Sequence, residues 1–335
     1  MILSAWLDGV KRAVSAPALL VGVFLTTLAM AVPLTLILRS ALDGHLGVSL
    51  AATEAADGVN YDWWQEFQAQ AAGLGTTFTP SVIGFAASLD NVSGVMDARR
   101  RIAPIAAVVT AYLFVWTFLA GGIIDRFARQ RPTRAHGFFA AGGVFFFRFL
   151  RLALVAGLAY GFLFGVVHEW LFEDLFEDVT RDVNVERTAF VWRAALYAVF
   201  GALIAAVNVL MDYTKIRAVV EDRRSIILAL IASLRFIVRY PGRVLGLYAL
   251  NALAFLTLMA VWALLAPGAG GAGATMWLGF LLAQIYVVAR LFLKLQFIAS
   301  QTALFQATLA HARYTAAPAP AWPDSPSAEL VQTGG

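Results

Sequence analysis

The 335-residue chain contains no cysteine, so it holds no disulfide framework, no thiolate metal site and no cysteine nucleophile. Charge is scarce too. Asp, Glu, Lys and Arg make up 14% of the residues against 60% hydrophobic ones, a balance that excludes a water-soluble domain of this length. Lysine is confined to Lys11, Lys215 and Lys294, with arginine as the main cation. That excess of arginine, with abundant alanine and glycine, fits a GC-rich bacterial genome. Between Arg243 and Arg290 there is neither a charged residue nor a histidine, a stretch long enough to cross a bilayer core of ~30 Å twice.

What is present is a set of long apolar runs. A helix rising 1.5 Å per residue needs about 20 apolar residues to span, and such runs fall near residues 16–38, 102–124, 150–171, 189–211, 244–266 and 275–297. Helices are required because lipid offers no partner to backbone N–H and C=O groups. The expected fold is therefore all-α: a polytopic six-helix transmembrane bundle with amphipathic interfacial helices. The first run is too long for a secretion signal and lacks a small-x-small cleavage site, so it is expected to remain as an anchor. Ahead of it, Ile2, Leu3, Trp6, Val10 and Val14 recur at helical spacing opposite Ser4, Asp8, Lys11 and Arg12, which predicts a helix lying in the interface.

Arginine and lysine, counted loop by loop, set the expected orientation. Lys11 and Arg12, then Arg126, Arg129, Arg131 and Arg134, then Lys215, Arg217, Arg223, Arg224, Arg235, Arg239 and Arg243 fall on one side. Glu169, Glu173, Asp174, Glu177 and Asp178 fall on the other. Both termini are thus expected in the cytoplasm and the chain in a bacterial inner membrane, although Arg99, Arg100 and Arg101 run against this pattern. The integral domain is expected over 1–311 and includes an external loop at 40–98. In that loop Tyr61, Trp63, Trp64 and Phe67 favour headgroup depth, with a ligand platform as the alternative, and a turn is expected from Gly73 to Pro80. Pro318, Pro320, Pro323 and Pro326 mark residues 312–335 as a disordered cytoplasmic tail.

An internal repeat is visible. Asp125 closes the second run as Asp212 closes the fourth, and each precedes an Arg-Phe pair by 23 positions, at Arg148-Phe149 and Arg235-Phe236. Each unit reads as span, Asp, basic turn, surface-lying helix and return span, with Ser225 to Val238 as the clearest surface helix. A carboxylate at a helix C-terminus opposes the macrodipole and needs compensation. Local pairs are available, Asp125 with Arg129 and Asp212 with Lys215. The alternative is a latch in which each Asp reaches the other unit's basic turn.

Chemistry-bearing patterns are few. Spans one, two, four and five have no Asp, Glu, Lys, Arg or His at their centres, and Asn208, Asn251 and Gln284 are the strong intramembrane polar side chains. Such amides more often hold helices together than bind substrate. His168-Glu169 opens a metalloprotease-like pattern, but Phe172 stands where the second histidine is needed, so no zinc site is assigned. Glu169, Glu173 and Glu177 share a helical face that reads as solvated. The glycine-rich stretch Pro267 to Gly273 lacks the Lys-Ser/Thr of a phosphate loop, and Gly121-Gly122 and Gly142-Gly143 permit close helix approach. Arg290 and Lys294 share a face near the inner end of the sixth span, where they either snorkel as anchors or meet anionic lipid. No catalytic, cofactor-binding or metal residue is assigned.

The stretch Asp212-Tyr213-Thr214-Lys215-Ile216-Arg217-Ala218, with Glu221, Ser233-Leu234-Arg235-Phe236 and Tyr240-Pro241-Gly242-Arg243, resembles the repeated unit of bacterial polytopic proteins related to the membrane domain of glycerophosphodiester phosphodiesterases. Gly122 to Arg151 resembles uncharacterised bacterial inner-membrane proteins. The resemblance implies a membrane domain that accompanies an enzyme without performing the hydrolysis, and no catalytic residue carries over because the catalytic barrel is absent. The expected function is a noncatalytic subunit or scaffold of a membrane assembly. Asp125, Arg129, Asp212, Lys215, Arg217, Arg290 and Lys294 are its candidate contacts to lipid, a protein partner or a second copy, with no nucleic acid. The alternative is a transporter or lipid-handling protein using Asn208, Asn251 and Gln284, favoured by an open cavity and disfavoured by a dry centre. An enzyme acting at the outer surface through Asp62, Glu66 or the Glu169 cluster is a third reading.

Overall fold

The computed structural model describes residues 1–311 except 48, 59, 80–83, 131 and 269–272. The expected tail at 312–335, Arg131, Pro80 and the middle of the glycine-rich turn lie outside the described residues. Among the described residues every regular element is helical. In order the α-helices are α1 (Ile2–Val14), α2 (Pro17–Leu46), α3 (Ala52–Asp57), α4 (Tyr61–Gln70), α5 (Ala86–Met96), α6 (Ala103–Arg129), α7 (Ala135–Phe162), α8 (Phe176–Thr180), α9 (Glu186–Val220), α10 (Ile226–Arg239), α11 (Pro241–Leu265) and α12 (Ala274–His311), with a 3-10 turn at Gly73–Thr77 where a turn is expected. Two π-helical segments, Leu163–Val167 and Trp170–Leu175, join α7 to α8 in one helical run. Six helices are long and apolar enough to cross a membrane: Pro17–Leu46, Ala103–Arg129, Ala135–Thr180, Glu186–Val220, Pro241–Leu265 and Ala274–Leu309. The chain is a multi-pass integral membrane protein.

Helix length creates a second layer. The run Ala135–Thr180 has 46 residues and would extend roughly 70 Å at 1.5 Å per residue, far beyond a ~30 Å core. The ends of α6, α9 and α12 and the starts of α7 and α11 meet at the arginine-rich end of the bundle, called here the basic end. Its core holds Ile124, Phe145, Phe149, Tyr213, Ile216, Phe236 and Phe305. A second cluster joins Ile123 and Phe127 of α6 to Leu291, Leu295 and Ala299 of α12. By contrast, only 6% to 28% of the most apolar 18-residue stretch of each spanning helix is buried in the chain, so most of that surface is left to lipid.

The amphipathic segment at the start is a helix, as its spacing predicts, and it packs along the last part of α12. Ala5 joins Leu247, Ala303 and Leu304 in a small core. Leu3, Leu7 and Val14 point outward. Both ends of the described chain therefore lie at the same end of the bundle. At Gly9 the two helices touch so closely that a Cβ there would lie 2.5 Å from Ser300 Cβ.

The two repeat units are built differently. In the second, α9, α10 and α11 are separate, and Ser225 Oγ caps α10 by accepting from Leu228 N–H. Pro241, which lacks an N–H and restricts the residue before it, starts α11. Residues 135–149 contain no such breaker, so no separate surface helix forms in the first unit. There α7 starts at Ala135 and enters the expected third span, which the two π-helical segments complete. The left-handed Gln130, with φ 55°, ends α6 just before Pro132.

The region expected as an external loop is itself largely helical, with α2 reaching Leu46 and α3, α4 and α5 following. Trp63 and Phe67 do not face outward as lipid-level aromatics would. They are buried and pack on His45 at the end of α2, where Trp63 Nε1–H donates to His45 Nδ1 at 3.0 Å. Trp64 donates to the Phe78 carbonyl, while Tyr61 stays exposed.

Candidate functional site

Polar side chains from several helices converge where the spans meet the basic end. Asp212, on α9, accepts a hydrogen bond from Tyr248 of α11 at 2.7 Å and one from Gln301 Nε2 of α12 at 3.3 Å. Gln301 Nε2 also donates to the Tyr248 hydroxyl at 2.7 Å. Lys215 closes the group, its Nζ 2.7 Å from Asp212 Oδ1. One turn toward the membrane centre, Tyr160 of α7 donates to Asn208 Oδ1 at 2.8 Å. Neither carboxylate nor ammonium is sealed off: the side chains of Asp212 and Lys215 retain 24% and 29% exposure.

Lys294 of α12 belongs to the same neighbourhood. Its Nζ stands 3.4 Å from the centroid of the Trp116 ring and 5.5 Å from that of Tyr112, both on α6. Lys215, Asp212 and Arg290 are its charged neighbours. Among the described residues no carboxylate lies within ion-pair distance of Lys294. One turn toward the membrane centre, Arg290 is exposed with its guanidinium 5.6 Å from the Tyr286 ring. Ionisable groups on spanning helices are costly and commonly mark ligand paths.

No protein-family model, curated protein or solved structure matches this chain.

Other expected contacts fall into separate places. Asp125 pairs with Arg129 at 2.8 Å within α6, so the aspartates do not latch across the two units. The pair that does cross is one that loop counting missed: Arg148 of α7 meets Asp222 after α9 at 2.6 Å and donates to the Arg223 carbonyl. Arg217 is buried beside Glu221 at 3.0 Å and stacks over Phe305 and Phe236. It supports the fold from inside and is not presented at a surface. Asn251 is also buried, donating to Leu247 O and to Ser300 Oγ. Gln284 sits sixteen residues before Ser300 on α12, about 24 Å along the helix. The three intramembrane amides thus do not line one path.

Arg12 forms a second hub. Its guanidinium bonds Asp8 at 2.7 Å, the Phe127 carbonyl at 2.9 Å and Gln306 Oε1 at 2.8 Å, while Gln306 Nε2 donates to Ala128 O. It thereby satisfies a carbonyl in the last turn of α6, where a cation also complements the macrodipole.

At the opposite end, His168 Nε2 lies 3.0 Å from Met96 O. Asp97 accepts from the Tyr197 hydroxyl and from Ser93, which hold its carboxyl below the usual aspartate range. Among the described residues no three His, Asp or Glu side chains group as metal ligands.

Tyr248, Gln301, Tyr160 and Trp116 were not picked out by the sequence pattern. A signal for part of the set exists in the run Gln296, Ser300, Gln301, Thr302 and Gln306, which is too polar for the end of an apolar span.

Proposed function

We propose that this protein handles lipid within the bacterial inner membrane, binding it without chemical conversion, with the basic end and both termini in the cytoplasm. The observation that carries this reading is the partly exposed group of Asp212, Lys215, Tyr248, Gln301 and Lys294. It is polar and charged at the basic end of spans whose walls are mostly unburied apolar surface. Such a place suits an amphipathic ligand, with the polar part held by side chains and the chains lying between helices. The basic turns keep this end on the cytoplasmic side.

The scaffold reading has its own support. In α2 only Val23 of 30 residues is buried, leaving a long apolar helix face free for a partner helix. Purification in mild detergent followed by native mass spectrometry and lipid extraction separates the two. Retained phospholipid on an otherwise lone chain supports lipid handling. A stable protein companion with no retained lipid supports the scaffold and overturns the first reading.

A further inference from the structure

We infer that Lys294, Lys215 and Arg290 form a binding site for the phosphate of an anionic glycerophospholipid. The inference rests on the lipid-handling reading and names its ligand class. Three cations share this neighbourhood with one carboxylate, Asp212, and Lys215 already occupies that carboxylate at 2.7 Å. Lys294 is left with aromatic faces as its neighbours on α6. A ring quadrupole attracts an ammonium, but it carries no net charge to neutralise it. A cation in this position on a spanning helix is therefore incompletely compensated, and an anion is what completes it.

The geometry differs from simple snorkelling. A lysine that only anchors its helix extends toward the headgroups and away from the protein. Lys294 instead lies against Trp116 on the neighbouring helix, and of the three cations only Arg290 is exposed. The phosphate oxygens would lie between Lys294 and the exposed Arg290 one turn deeper, with Trp116 and Tyr112 against the lysine ammonium. A zwitterionic choline headgroup fits poorly because its own cation would face the same three positive side chains. Free phosphate shares the anionic chemistry but has no acyl chains for the apolar walls. The surroundings favour the lipid.

The test uses the full-length protein in mild detergent, titrated with phosphatidylglycerol, phosphatidylcholine or inorganic phosphate and read by native mass spectrometry. Wild type should bind phosphatidylglycerol in preference to phosphatidylcholine. Lys294→Gln should weaken phosphatidylglycerol binding roughly tenfold, the loss of one charge-assisted contact, while Lys294→Arg should retain most of it. Arg290→Gln changes an exposed side chain, so it tests the site even if Lys294→Gln fails to fold. It should weaken the same lipid severalfold. A fluorescence change on lipid addition that disappears in Trp116→Phe would place the ligand at this ring. Equal retention of phosphatidylglycerol by wild type, Lys294→Gln and Arg290→Gln would overturn the site while leaving lipid handling intact. Displacement by inorganic phosphate would overturn the choice of lipid, and failure to bind any lipid would remove the underlying reading.

Discussion

Arg12 shows how a charge on an amphipathic helix can become structural. Only 7% of its side chain is exposed, and its partners come from α1, α6 and α12. Truncation in Arg12→Ala strands the Phe127 carbonyl and Gln306, a loss of about 3 kcal/mol or more for a broken buried network. Lysine cannot reproduce a fork that reaches three acceptors, so Arg12→Lys should recover only part of that stability. Thermal unfolding in detergent reads both variants, and a wild-type midpoint for Arg12→Ala would remove the hub. Asp97 gives the complementary pH dependence. Tyr197 and Ser93 favour its ionised form, so its folded value lies below 3.8 and its contribution is complete above that pH. That contribution is lost as pH falls through the lower folded value. The stability gap between wild type and Asp97→Asn should therefore be flat near neutrality and close only in strong acid.

At the scale of elements, the α6–α7 hairpin depends on missing side chains. A Cβ on Gly122 would lie 2.7 Å from the Phe138 carbonyl oxygen and 2.6 Å from its ring, and one on Gly121 would lie 3.0 Å from Phe145 Cβ. Gly143, in the same hairpin, has nothing within 4 Å. Gly122→Ala should thus force the helices apart at a cost of about 1–3 kcal/mol, whereas Gly143→Ala should stay within about 1 kcal/mol of wild type. Melting midpoints of the two variants make the comparison, and equal effects would contradict the close packing. Sequence spacing marked this glycine pair because small residues stand where apolar helices meet. It could not separate Gly142, which touches the Phe118 carbonyl, from Gly143 beside it. Nor could charge counting see that α7 begins at Ala135. Arg148 and Arg151 suggested a span that starts beside them, but in the long helix Arg148 turns to Asp222 and needs no membrane boundary. Pro241 made the break after α10 readable because its constraint is local.

For the whole molecule, apolar runs and helix geometry were enough to read an all-α bundle with six crossings, since the bilayer leaves the backbone few alternatives. The polar site was legible only in part. Asp212, Lys215 and Lys294 stand out as ionisable residues in apolar surroundings, but their partners Tyr248, Gln301 and Trp116 arrive from other helices, and a single chain reading carries no register between helices. Orientation follows from the same organisation. If the basic end faces the cytoplasm, the exposed turn between α9 and α10 is inside and the segment near α8 is outside. The chain has no native cysteine, so single cysteines report side without background labelling. Arg224→Cys should resist a membrane-impermeant maleimide in intact spheroplasts and react after permeabilisation, whereas Asp178→Cys should react at once. Each position is exposed in the structure, so protection reports the membrane barrier and not burial. Reversed labelling would invert the protein and move the Lys294 site to the outer leaflet. Labelling of both positions in intact spheroplasts would contradict a single orientation, because α9 carries the chain across the membrane once between them.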